Sequence, residues 1–269
     1  MIKALFFDLD GTLLTSTGRI SEKTKEALKA CSKIGIKTFT ATGRAPLLLK
    51  MLDLDADEQE IIKDGGVFYN GGCVRLNDTS IYTFLSDEIV MRCIEAIMPY
   101  KEVNVLVQME NENHSFRYGL KDEEYTGWGV EKNELVIFEK CNFTRVVKIG
   151  LYLPNCLLQE VIDKLQALLG TEVHVYIYSG NNYKLIDVVD RKANKMLGIK
   201  RTAQIYGWND DEIAVFGDDY NDIEMLKGFK YSFAMGNACD EVKSYANHVT
   251  LSNDKEGIYH ALSAILQII

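Results

Sequence analysis

Two aspartates one residue apart, Asp8 and Asp10, follow the apolar run Ala4-Leu5-Phe6-Phe7 and precede Gly11-Thr12. If the chain stays extended past Asp8, both carboxylates project to the same side. At about 4 Å and an effective dielectric near 20 they repel by about 4 kcal/mol, so a cation or a proton has to intervene. A second acidic group, Gly217-Asp218-Asp219-Tyr220-Asn221-Asp222, follows another apolar run at 213–216. Thr42 and Gly43 supply a hydroxyl and an N–H that can both donate to an anion, and Lys195 supplies an ammonium. Acids converging beside one lysine make a poor structural element and a good Mg²⁺ site, because Mg²⁺ favours hard oxygen ligands and binds through one or two carboxylates plus a substrate phosphate. Asp8-Leu9-Asp10-Gly11 also shares its start with an EF-hand loop. Leu13 and Leu14 stand where that loop needs oxygen ligands or polar linkers, so the calcium reading is set aside. Taken singly, Thr42-Gly43-Arg44 is more often merely a turn, and a lysine in the first turns of a helix, as Lys195 is, is usually solvated.

The elements around these residues decide whether they meet. Residues 4–7 suit a strand buried on both faces, as in a parallel sheet, with Asp8 at its carboxyl end, where open α/β sheets place ligands. Ser21 is an N-cap for a helix to about 33, with Ala27, Leu28, Cys31 and Ile34 on one apolar face and Gly35 to end it. Residues 36–40 form a second strand, giving a right-handed βαβ unit that brings Thr42 to the edge occupied by Asp8. A strand at 67–69 enters the turn Asn70-Gly71-Gly72. After Asp190 the alternation resumes with a helix at 194–200 carrying Lys195, a strand at 213–216, a helix at 223–227 and a strand at 231–235. Helical segments at 240–246 and 257–268 close the chain. Between these halves, 83–185 read differently. A helix capped by Ser86 is followed by strands at 103–109, 135–138 and 145–153, a helix at 156–169, and strands at 172–178 and 183–189. Consecutive strands joined by short turns predict an antiparallel sheet with helices on one face, an α+β domain inserted into an α/β core of 1–82 and 186–269.

Bulk composition narrows the partners. The chain has 269 residues, 47% hydrophobic and 26% charged, enough for one or two ordinary globular domains. A net charge of −9 without a basic block argues against nucleic acid or an anionic membrane, while leaving room for a small anion in a local pocket. Six scattered cysteines include no C-x-x-C pair and space out no zinc site. No signal-peptide pattern opens the sequence, and no apolar stretch reaches the roughly 18 residues of a membrane span. A cytoplasmic setting is expected.

Asp8-Leu9-Asp10-Gly11-Thr12, then Thr42-Gly43-Arg44, Lys195 and Gly217-Asp218-Asp219-Tyr220-Asn221-Asp222 resemble the four motifs of the haloacid dehalogenase superfamily. Asn70-Gly71-Gly72, and Met235-Gly236-Asn237-Ala238 with Val242-Lys243 and 246–253, resemble more narrowly its Cof-type branch. The resemblance implies a Rossmann-like parallel-sheet core with an inserted α+β cap of the C2B type, which falls where the inserted domain was inferred. It implies Asp8 as nucleophile, forming an aspartyl-phosphate, and Asp10 as the acid that protonates the leaving oxygen and then deprotonates water. Mg²⁺ would be held by the Asp8 carboxylate, the Asp10 backbone carbonyl and Asp218. Leu9 N–H, Thr42, Gly43 N–H, Lys195 and Asn221 would bind the phosphate oxygens, and Asp222 would orient Lys195 or a metal-bound water. The family's third motif is usually glycine-rich around its lysine, whereas this chain has Arg191-Lys192-Ala193-Asn194-Lys195-Met196. Lys195 fits best because Asn-Lys enters a helix, with Lys192 as the alternative.

A Mg²⁺-dependent phosphatase acting on a small phosphorylated metabolite, such as a sugar phosphate, is therefore the leading reading. A phosphomutase resembling phosphomannomutase would return the phosphoryl group to substrate instead of to water. A catalytically silent Mg²⁺-binding regulator is the third. Specificity would come from the cap, with Tyr176, Ser179 and Asn181 as candidate contacts, and from Arg44 at the rim of the core.

Overall fold

Every residue of β1 (Ala4–Phe7) is buried, and this four-residue strand lies in the middle of an eight-stranded sheet. The computed structural model describes residues 1–77, 79–178 and 183–269, and of Ser179 the backbone alone. From β1 the chain runs through α1 (Glu22–Lys33), β2 (Lys37–Ala41), α2 (Leu48–Met51), α3 (Ala56–Ile62), β3 (Gly66–Phe68), β4 (Cys73–Leu76) and β5 (Thr79–Tyr82). It continues through α4 (Asp87–Ile97), β6 (Asn104–Met109), β7 (His114–Phe116), α5 (Tyr125–Trp128), β8 (Val146–Pro154), α6 (Leu158–Leu169), β9 (Val173–Ser179) and β10 (Tyr183–Asp190). It ends with α7 (Lys195–Tyr206), β11 (Ile213–Gly217), α8 (Ile223–Gly228), β12 (Tyr231–Ala234), α9 (Asp240–Lys243), β13 (His248–Val249) and α10 (Gly257–His260). Contacts divide the chain into two units: Met1–Arg44, Leu52–Ile81 and Asn194–Ile269 form one, and Ala45–Met51 with Tyr82–Ala193 form the other.

The first unit has an α/β architecture. Its sheet runs β13-β12-β11-β1-β2-β3-β4-β5, parallel from β13 to β3 and antiparallel between β3 and β4. The chain leaves β1 toward β2 on one side and, after α7, fills the other side from β11 outward to β13, a reversal that opens a crevice at the carboxyl ends of β1 and β11. Phe7 is level with Thr40 and Phe216, so the residues just past these strands share one edge. Aromatic stacks tie neighbouring strands together: Phe6 on Phe39 at 4.9 Å, Phe7 on Phe216 at 4.7 Å and Phe216 on Phe233 at 4.8 Å. Helix α1 begins where Ser21 Oγ accepts the Thr24 N–H, and it buries Ala27, Leu28 and Cys31. Ile34 does not join that face. As C-cap it has left helical geometry and is 63% exposed.

The second unit is an antiparallel sheet ordered β7-β6-β8-β10-β9. One face of it meets α4 and α6, burying Val107, Ile149, Leu151 and Val188 against Val90, Ile94, Val161 and Leu165. The strand expected at 135–138 is absent. β6 pairs instead with β7, and the apolar stretch is a partly exposed loop in which Ile137 is 55% exposed and only Phe138 is buried, packing on Phe143 at 5.0 Å. Among the described residues no helix is long and apolar enough to cross a membrane.

Candidate functional site

Asp8 continues the line of β1, donating its N–H to the Phe216 carbonyl at 2.9 Å, and its side chain is buried. Gly11 then turns the chain at φ +84°, a region that glycine reaches without steric cost. A Cβ at this position would lie 2.3 Å from Asp218 Oδ2, so the turn and the Asp218 carboxylate can touch only because residue 11 has no side chain. Thr12 completes the contact by donating its hydroxyl to Asp218 Oδ1 at 2.7 Å.

Lys195 enters from α7. Asn194 caps this helix by accepting the Leu197 N–H at 2.8 Å, which fixes Lys195 in the first turn. The cap itself lies against Gly71, where a Cβ would come 2.2 Å from the Asn194 carbonyl oxygen. Tyr69, Asn70 and Gly71 all have positive φ, a left-handed run that L side chains rarely adopt. Lys195 is fully buried and donates to Asp8 Oδ1 and Asp222 Oδ1, both at 2.6 Å. Burial alone would lower the pKa of this ammonium, but Asp222 and Asp8 reverse the effect and push it up.

Asp222 is wholly committed. Its second oxygen accepts the N–H groups of Asp218 and Asp219 at 2.9 and 3.0 Å, closing the turn after β11. One carboxylate therefore holds both the lysine and the backbone that presents Asp218.

Carboxylate oxygens of Asp8, Asp218 and Asp222 lie within 4.8 Å of one another. Three carboxylates facing one ammonium leave an excess of two negative charges, the charge that a single divalent cation carries. Without a cation the excess falls on Asp8 and Asp218. Burial pushes the Asp8 carboxyl well above its ordinary value; Lys195 opposes this, while Asp222, Asp218 and Asp10 add to it. Asp218 is raised to about 7, chiefly by burial, against the lowering hydrogen bond from Thr12. Oxygen donors with unmet charge fit a hard divalent cation.

The remaining predicted residues are placed as follows. Asp10 is half exposed and its carboxylate is gripped by Arg44, whose Nε and Nη2 each donate at 2.8 Å. Thr42 is buried, and its hydroxyl accepts the Arg44 N–H at 3.1 Å. Leu9 and Asn221 are buried, and Gly43 is partly so. Lys192 is exposed, with its N–H on Asp190 Oδ1 at 2.8 Å. Tyr176 packs against Val189 and Ala193. The side chain of Ser179 and all of Asn181 lie outside the described residues. Three residues gain a part that spacing did not assign them: Thr12 and Asn237, both bonded to Asp218, and Asn70, whose Oδ1 accepts from Asn221 Nδ2 at 3.0 Å. The signals for the last two were that their turns, Asn70-Gly71-Gly72 and Gly236-Asn237-Ala238, each close a strand and carry the resemblance to the Cof-type branch, which assigned neither residue a bond.

Comparison with known proteins places this geometry in context. The sequence pattern of the haloacid dehalogenase-like hydrolases matches residues 5–262. The 5-amino-6-(5-phospho-D-ribitylamino)uracil phosphatase YbjI of Escherichia coli K12 is 26% identical over 273 residues, covering 99% of this chain and 97% of its own. The phosphatase YwtE of Bacillus subtilis 168, named for the same compound, is 25% identical over 98% of each chain. Among solved structures, the subclass IIB sugar phosphatase BT4131 matches with a TM-score of 0.81 and 28% identity, over 99% of this chain and 100% of that one.

Proposed function

The chain belongs to the haloacid dehalogenase-like hydrolases and cleaves phosphate esters, and from that premise we propose a Mg²⁺-dependent phosphatase working through an aspartyl-phosphate on Asp8. Its substrate in this reading is a small metabolite whose phosphate sits on a sugar or sugar-alcohol chain. Support for the substrate class comes from the compounds for which YbjI, YwtE and BT4131 are named. Support for the chemistry comes from one observation above all, the buried group of Asp8, Asp218, Asp222 and Lys195 at the carboxyl ends of β1 and β11.

In the first step an Asp8 oxygen attacks phosphorus. The new P–O bond forms as the bond to the leaving oxygen breaks, and Asp10 gives that oxygen its proton. In the second step Asp10 takes a proton from water, the water oxygen attacks phosphorus, and the bond to Asp8 breaks. The Asp8 carboxylate, the Asp10 carbonyl and Asp218 would hold Mg²⁺, whose charge when bound neutralises the phosphate that would otherwise repel an anionic nucleophile. Lys195, Thr42, Asn221 and the N–H groups of Leu9 and Gly43 bind the equatorial oxygens, where charge develops in the transition state. Asp222 keeps Lys195 charged and aimed, and Asn70 fixes the Asn221 amide. Asp10 has to turn from Arg44 toward the leaving oxygen before it acts. A cytoplasmic setting belongs to the same reading, supported by six cysteines that are all free thiols.

Phosphate release from a panel of sugar, sugar-alcohol and nucleotide phosphates, with Mg²⁺ and with a chelator, tests the proposal. Metal-dependent release that disappears in Asp8→Asn is expected. Release that persists in Asp8→Asn, or that ignores the chelator, overturns it.

A further inference from the structure

The side-chain amide of Asn237 makes hydrogen bonds to three different loops, with both donor hydrogens and the carbonyl oxygen engaged. Its Nδ2 donates to the Gly11 carbonyl at 2.9 Å and to Asp218 Oδ2 at 3.1 Å, while its Oδ1 accepts the Asn253 N–H at 3.1 Å. An amide has two donor hydrogens and one carbonyl, so only one orientation satisfies this set; the flipped amide would face two acceptors with its oxygen. Asn253 extends the brace by donating its own side-chain amide to the Leu14 carbonyl at 3.0 Å. The turn after β1, the turn after β11 and the segment after β13 are thereby tied together through one exposed side chain.

We infer that Asn237 is a positioning residue that sets the plane of the Asp218 carboxylate for a divalent cation. This rests on the metal reading above and goes beyond it, since Asn237 itself binds neither cation nor phosphate. Thr12 takes one Asp218 oxygen and Asn237 the other, so the carboxylate is pinned at both ends, while each oxygen keeps a lone pair for a cation. Thr12 alone fixes one oxygen and leaves the group free to rotate about it. Gly11 sits directly behind Oδ2, and the Asn237 bond to its carbonyl holds that wall in place. Hydrogen-bond partners that orient metal ligands typically contribute about 10–100-fold in metal affinity.

The test uses the full-length protein freed of metal and titrated with Mn²⁺ alone, the free ion being counted by electron paramagnetic resonance. Asn237→Ala is expected to weaken Mn²⁺ binding by about tenfold or more, and in phosphate-release assays to raise the Mg²⁺ requirement while excess Mg²⁺ restores kcat. Asn247→Ala is the control for stability. It removes three bonds, to Phe229, Lys230 and Ser232, at the opposite end of β12, and is expected to lower the urea midpoint and leave Mn²⁺ binding within twofold of the parent. Unchanged Mn²⁺ binding in Asn237→Ala, or an equal loss in Asn247→Ala, overturns the inference and leaves the phosphatase reading standing. A parent protein that binds no Mn²⁺ overturns both.

Discussion

Asp8 and Lys195, 187 residues apart in the chain, meet at 2.6 Å inside the first unit, and the same ammonium reaches Asp222 at 2.6 Å. One buried cation serving two buried carboxylates means that removing it leaves charge without compensation. Lys195→Met should cost about 3–5 kcal/mol of stability, the range for breaking a buried pair from one side. Adding Asp222→Asn should recover part of that loss. Urea denaturation of the single and double variants checks this; an unshifted midpoint in the single variant would show that the ammonium carries no such burden.

Asp8→Asn removes one charge from a crowded set. The metal-free variant should gain stability over the metal-free parent, since Asp222, Asp218 and Asp10 all oppose ionisation of Asp8. Turnover should fall by about three orders of magnitude or more, as for loss of a nucleophile. A variant that is less stable and still active contradicts both statements.

For Asp218 the pH dependence has a definite sign. Its carboxyl rises from an ordinary 3.8 to about 7 in the folded, metal-free protein, so the folded state holds a proton that the unfolded chain has released. Its contribution is complete below about 4 and lost as pH climbs to about 7, with a slope of up to about 1.4 kcal/mol per pH unit. With chelator present, the urea midpoint of the parent should drop between pH 5 and 7.5 by more than that of Asp218→Asn. Equal drops would place the titration elsewhere.

Arg44 and Asp10 form a bidentate but partly exposed pair, worth about 0–1 kcal/mol. Arg44→Ala should therefore barely move the melting temperature. Asp10→Ala should lower kcat by about 10²–10⁴-fold, as for loss of a general acid and base. If Arg44 acts through Asp10, the double variant should be no slower than Asp10→Ala alone. Additive losses would give Arg44 a separate contact with substrate.

The sequence foreshadowed the meeting of Asp8, Lys195, Asp218 and Asp222 because each stands just past a strand or at a helix start, and parallel strands end on a common edge. What spacing could not reveal were bonds between loops. Thr12 and Asn237 reach Asp218 across 206 and 19 residues, and Asn70 reaches Asn221 across 151, so nothing periodic links them. Helix α3 also escaped notice, although Asp55 and Glu58 form a capping box at its start, because it is only seven residues long. The stretch at 135–138 misled for the opposite reason. Four apolar residues in a row suggest a buried strand, yet only Phe138 is buried here, so a short apolar run does not by itself distinguish a strand from a loop.

The central place of β1 carries a consequence for how the protein is made. It is synthesised well before its neighbour β11, which begins only at Ile213, so a nascent chain pairs one side of β1 with β2 and leaves the other bare. A four-residue apolar edge of this kind is a template for wrong pairing while it waits on the ribosome. Until α7 and the turn after β11 have been synthesised, Asp8 has neither Lys195 nor Asp218 to meet, so the reactive corner cannot close before they are made.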